Sequence, residues 1–223
     1  MPQYWNIPNV WKGRTAYLLG GGPSLSSFDF SRLAGKRVVG VNDAYRHGKE
    51  IVPVCFFGDS HWWHKHGHRS VEVPGEGWVP GFLSYEGVRV TNNLCHQYFE
   101  GHVRICKRLG NGFSSSPDTL AWNGNSGACA INLAVLLGAS TIVLLGFDMH
   151  NRKAEGKTVA TNYYPNMVYP PTDQNYVTFL EQFQHVKAGC ENAGVRVINA
   201  NPESSLTLFP KMSIEEALNE YPA

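Results

Sequence analysis

Charge is scarce in this 223-residue chain: only 17% of it is Asp, Glu, Lys or Arg, and 19 basic against 18 acidic residues leave a formal charge of +1. The basic residues are scattered, so no positive stripe forms of the kind that neutralises a phosphate backbone, and the charge pattern carries no nucleic-acid footprint. Nucleic acid stays open only as a substrate. No apolar run approaches the roughly 18 residues of a membrane span, and the first residues lack the basic, apolar, small-residue order of a signal peptide. A soluble, cytoplasmic protein without a membrane span is expected. Five cysteines (Cys55, Cys95, Cys106, Cys129, Cys190) are an odd number without CxxC spacing. They argue for reduced thiols rather than a disulfide framework. There is no Walker loop, no full GxGxxG fingerprint, no HExxH, no internal repeat and no low-complexity tail.

What is present is apolar: 43% of the residues are hydrophobic, enough for one sizeable α/β core spanning residues 1–223 as a single domain. Strand-type runs recur at Thr15–Leu19, Lys36–Val41, Val52–Phe57, Val88–Val90, Val103–Cys106, Thr141–Leu145 and Val195–Ile198. Several are continuous rather than alternating, which suits strands covered on both faces. Ser126–Gly138 reads as a buried helix with Asn125 or Ser126 as its N-cap and Gly138 beyond its end. Gln174–Asn192 carries an apolar stripe at helical spacing, and Ser213–Asn219 reads as a short capped helix with Glu215 and Glu216 in its first turn. Strand and helix alternate, so the expected fold is α/β, a doubly wound, mostly parallel Rossmann-like sheet.

Ligands in such sheets bind outside the carboxyl ends of the strands. Here those ends read Gly20-Gly21-Gly22-Pro23-Ser24, Asn42-Asp43, Gly58-Asp59-Ser60 and Gly146-Phe147-Asp148. The glycine turn suggests backbone amides free to meet a phosphate at a helix start, and Asn125-Ser126-Gly127 offers a second such N-terminus. Asn42 and Asp148 suit ribose hydroxyls or a base. Residues 111–125 are placed to form the acceptor side of the crevice, and the Gly- and Pro-rich stretch from Ser70 to Asn123 reads as loops broken by short strands. His61, His64, His66 and His68 have spacings compatible with a metal, with Cys95, His96 or Asp59 in support, or with a polar helix face near the ligand; no metal is assigned to them. Trp62 and Trp63 are suited to packing or to covering the cleft.

The segments GGGPSLSSFDFSRL (Gly20–Leu33), VNDAY (Val41–Tyr45), NSGACAINLAVLLGASTIVLLGFDM (Asn125–Met149) and ANPESSL (Ala200–Leu206) resemble the bacterial sialyltransferases built on one Rossmann-like domain. They are also similar to the related motility-associated glycosyltransferase and hydroxymethylpterin diphosphokinase-like proteins. The resemblance implies a cytidine nucleotide, or a CMP-linked sugar donor, held by Gly22, Ser24, Asn42, Ser126, Gly127 and Asp148. It further implies a lid after the Gly-x-Asp strand, about residues 150–173, with tyrosines that stabilise the leaving phosphate and a histidine base. Tyr163, Tyr164 and Tyr169 are the candidate tyrosines, with packing of a structured loop as the other reading. His150 is the candidate base, although it stands close to the strand end; His185 falls inside the second predicted helix.

Three functions follow as expectations. The first is a sialyltransferase-like glycosyltransferase moving a sugar from a nucleotide donor to an unidentified acceptor. The second is a diphosphokinase with Mg²⁺ on Asp43, Asp59 and Asp148. The third is a nucleotide-binding or sequestering protein without turnover, of a compact kind that suits phage genomes. Self-association as a homo-oligomer stays open under all three.

Overall fold

The computed structural model describes residues 3–73, 76–94, 101–160, 162–164 and 171–222. The chain runs through β1 (Arg14–Leu19), β2 (Val38–Val41), β3 (Val54–Phe57) and α1 (Ser60–His66), then through a hairpin of β4 (Ser70–Val73) and β5 (Gly77–Pro80). β6 (Val88–Thr91), β7 (Arg104–Ile105), β8 (Lys107–Leu109) and β9 (Thr119–Ala121) lead into α2 (Ser126–Leu136) and β10 (Ala139–Leu145). A second hairpin, β11 (Arg152–Ala154) with β12 (Lys157–Ala160), precedes α3 (Asp173–Asn192), β13 (Arg196–Asn199) and α4 (Ile214–Glu220).

The seven apolar runs become one sheet in the order β13-β10-β1-β2-β3-β6-β7, and every neighbouring pair is parallel. β2 and β3 are buried at every position because both faces of the sheet are covered. Alternation along β1 sorts its side chains: Ala16 and Leu18 enter the core under α2 and α3, while Tyr17 and Leu19 enter the core on the opposite face. From β1 the chain winds outward to β7, then returns to place β10 on the other side of β1. The switch point therefore lies between the carboxyl ends of β1 and β10, where diverging loops open a crevice.

Helices form where caps and stripes coincide. Asn125 Oδ1 accepts from the amides of Gly127 at 2.8 Å and Ala128 at 3.2 Å, starting α2. The small residues Ala128, Cys129, Ala130 and Ala134 let α2 lie close between sheet and α3, which is why it is buried nearly all round. Thr172 with Asn175, and Ser213 with Glu216, form reciprocal capping boxes at the starts of α3 and α4.

The simple alternation of strand and helix is corrected on the second face. Its first crossovers are short 3-10 turns, Pro23–Ser27, Phe30–Leu33 and Asn42–His47, joined by α1 and α4. Pro23 and the Asp29 side chain, which accepts from Ser31, favour one tight turn over a long helix here. The stretch expected as an irregular lid also holds regular structure: the β11–β12 hairpin turns at Glu155 and Gly156, both at positive φ (50° and 75°). Glu is a poor herald of that turn, since Asn or Asp is the usual partner of Gly there.

Candidate functional site

At the switch point the β1 and β10 turns are clasped together. The amides of Gly20 and Gly22 donate to the carbonyls of Leu145 and Gly146, each at 2.8 Å. The Asp148 carboxylate accepts from the Ser24 amide at 2.8 Å and from the Ser24 hydroxyl at 2.6 Å. Only glycine fits this approach: a Cβ on Gly22 would stand 2.2 Å from Asp148 Oδ1, and one on Gly20 2.6 Å from the Gly146 carbonyl. The expectation of free amides opening a helix at this turn is corrected. The amides of Gly20, Gly22 and Ser24 are taken up inside the protein, and the segment that follows is a five-residue 3-10 turn.

Beside the clasp lies a cavity of about 260 Å³. Gly20, Gly21, Gly22 and Asp148 line it from the two turns, Asn42 and Asp43 from the end of β2, Asp59 from the end of β3, and Ser126 and Gly127 from the start of α2. Ser24, His150, Tyr163 and Tyr164 are not in its wall. Trp122, Asn162, Tyr176 and Phe179 are; Trp122 lies in the 111–125 stretch expected on the acceptor side and Asn162 in the expected lid, whereas Tyr176 and Phe179 read in the sequence only as a helix stripe. Trp122 had a partial signal in Gly58, the glycine after β3: a Cβ there would fall 1.9 Å from the Trp122 ring, which stacks under the Arg108 guanidinium at 4.3 Å.

Two amides give the cavity its polarity. Asn42, held at φ 55°, has a buried Oδ1 without a partner among the described residues, and Asn125 has a buried Nδ2 in the same condition while its Oδ1 caps α2. A buried polar atom left unpaired costs about 1–3 kcal/mol.

The three carboxylates have protein partners as well. Asp148 holds Ser24, exposed Asp59 accepts from the His61 amide at 2.7 Å to cap α1, and buried Asp43 accepts from Trp62 Nε1 at 3.1 Å. His66 is drawn into the core, stacked on Trp62 at 5.0 Å with its Nδ1 3.4 Å from Asp43 Oδ1, and burial lowers its pKa. His61, His64 and His68 are exposed. Among the described residues no three His, Cys, Asp or Glu side chains converge on a metal position; Cys95 and His96 lie outside those residues.

The segment 162–164 rests on the glycine turn, with the Tyr163 amide donating to the Gly21 carbonyl at 2.6 Å. Tyr164 is buried, and its hydroxyl meets His47 Nε2 at 3.1 Å rather than the cavity. Tyr163 packs on Phe30, ring centroids 5.1 Å apart. Tyr169 lies outside the described residues. His150 turns its Nδ1 to the Asp148 carbonyl at 2.9 Å, and His185 is exposed on α3.

Burial, with Arg46 adding repulsion, pulls the His47 pKa down to about 4 from an ordinary 6.5. A group depressed in the folded state contributes stability that is complete above its unfolded pKa and is lost as pH falls through the folded one. Melting temperature is therefore expected to drop as pH falls from about 6.5 to about 4, and His47→Gln should flatten that drop. Melting curves across this pH range for both proteins check it.

No family model matches the chain, and no curated protein matches it. Solved structures similar to it include the sialyltransferase CstII from Campylobacter jejuni in complex with the substrate analogue CMP-3FNeuAc, at 15% identity and TM-score 0.49, covering 90% of this chain and 86% of that one. The same enzyme with cytidine-5'-monophosphate shows 16% identity and TM-score 0.43, covering 90% and 85%. A point variant of the alpha-2,3/8-sialyltransferase CstII shows 15% identity and TM-score 0.42, covering 90% and 87%. The fold assignment itself rests on the sheet order and register described above.

Proposed function

We propose that the protein is a nucleotide-dependent transferase, a sialyltransferase-like glycosyltransferase that moves a sugar from a CMP-linked or similar donor to an acceptor hydroxyl. The observation that carries this reading is the cavity at the β1/β10 switch point, where Asn42 and Asn125, the start of α2 and an aromatic wall meet. The resemblance of the Gly20–Leu33 and Asn125–Met149 segments to the sialyltransferases supports the choice of donor.

Each part has a chemical role. The positive end of the α2 dipole favours the charge that develops on the departing nucleotide phosphate. Asn42 and Asn125 form a polar part of the wall against which the nucleotide packs. Trp122, Tyr176 and Phe179 supply flat apolar area for a base or sugar face. Asp148 acts behind this as the clasp that positions the glycine turn. A diphosphokinase would need carboxylates converging on Mg²⁺, whereas Asp43, Asp59 and Asp148 each face a separate protein donor.

Thermal stabilisation by a panel of nucleotides and nucleotide sugars, with and without Mg²⁺, tests the reading. A ligand at 100 times its Kd adds about 2.7 kcal/mol. The expected result is a metal-independent shift by one nucleotide sugar and by its free nucleotide. A shift by triphosphate with Mg²⁺ alone would favour the diphosphokinase, and binding without product would favour a sequestering protein.

A further inference from the structure

The transferase reading leaves the base unassigned, and the structure supplies a candidate that the sequence resemblance does not. Four ionisable side chains line the cavity among the described residues: Asp43, Asp59, Asp148 and Tyr176. Asp148 has both carboxylate oxygens on Ser24. Asp59 caps α1 with a side chain that is 51% exposed, in water-like surroundings. Burial pushes the Tyr176 phenol up to about 12, which suits an acid and not a base at neutral pH. Asp43 remains. It is 7% exposed, and α1 fixes its orientation through Trp62 Nε1 on Oδ2, with His66 Nδ1 3.4 Å from Oδ1 and not hydrogen-bonded to it. Trp62 itself forms part of the cavity wall, so the carboxylate is held at the lining.

We infer that Asp43 is the general base that takes the proton of the acceptor hydroxyl, with Trp62 as its positioning residue. This rests on the transferase reading. The acceptor O–H bond breaks and its proton passes to a carboxylate oxygen of Asp43. The freed electron pair forms the new bond to the anomeric carbon, and the bond from that carbon to the donor phosphate oxygen breaks, its pair leaving on the nucleotide. Burial favours the neutral form of His66, against the pull of the Asp43 charge. The other titratable groups around Asp43 are Tyr45 and Arg46 on its own turn, Cys55 on β3, Lys65 beside His66 on α1, and Tyr164.

The probe is CMP-linked sialic acid with water as acceptor, read as CMP release, alongside donor binding read as thermal stabilisation. Asp43→Asn should bind the donor as wild type does and release CMP about 100-fold more slowly. Azide, an anion that needs no base, should restore turnover in Asp43→Asn by forming the glycosyl azide. Trp62→Phe, which keeps an aromatic side chain but loses the N–H with the pyrrole half of the indole, should slow release about tenfold with binding kept. Release by Asp43→Asn at the wild-type rate overturns the inference and leaves the transferase reading standing. Loss of donor binding in a folded Asp43→Asn also overturns it, by making Asp43 a donor contact. A wild-type protein that neither binds nor cleaves the donor removes the transferase reading, and the inference with it.

Discussion

Asn132→Ala is expected to lower stability by about 4 kcal/mol, because it orphans three buried backbone groups at about 1–3 kcal/mol each. Asn132 is fully buried on α2. Its Oδ1 accepts from the amides of Ser114 at 3.1 Å and Ala121 at 3.2 Å, and its Nδ2 donates to the Ser114 carbonyl at 2.8 Å. One side chain thus ties the segment before α2 to the helix, and that segment carries Trp122 and Asn125 to the cavity. Urea denaturation of the variant measures the cost. A loss below about 1 kcal/mol would mean that the segment finds other partners and is not held by this amide.

Gly22→Ala is expected to open the clasp and abolish stabilisation by nucleotide. Its Cβ would stand 2.2 Å from Asp148 Oδ1 and 2.7 Å from the Gly146 carbonyl, and neither neighbour is the free end of a flexible chain. Asp148 is buried and doubly bonded to Ser24, so relief requires separating the β1 and β10 turns. Overpacking of this kind costs about 1–3 kcal/mol or more in stability. Gly110→Ala is the control, since nothing lies within 4 Å of a Cβ there. Melting temperatures with and without CMP read both effects, and a Gly22→Ala protein that still gained stability from CMP would contradict the role given to the clasp.

The sheet was legible in the sequence because burial on both faces leaves continuous apolar runs that only a covered strand explains. α2 and α4 were legible because Asn125 and Ser213 stand at the start of helical patterns, and α3 because Gln174–Asn192 carries an apolar stripe; its cap, Thr172 with Asn175, went unread. Legibility ended where contacts are distant in sequence. Ser24 and Asp148 are 124 residues apart, and nothing local in either segment announces their bond. Tyr176 and Phe179 read as an ordinary helix stripe, yet packing of α3 beside α2 turns them to the cavity. His66 stands among exposed histidines in sequence, and only the stacking on Trp62 separates it from them. Tyr164 shows the same limit in reverse: its place in an Asn-, Pro- and Tyr-rich stretch after the Gly-x-Asp strand suggests a lid, while its hydroxyl is turned to His47 in the core of the second face.

Amide hydrogen exchange of the wild-type protein with and without saturating CMP tests the central claim, that a nucleotide sits at the β1/β10 switch point. The account predicts added protection confined to residues 20–27, 41–45, 122–129 and 146–149. Unchanged exchange in these four segments, or protection only at the far sheet edge around β6 and β7, would contradict it.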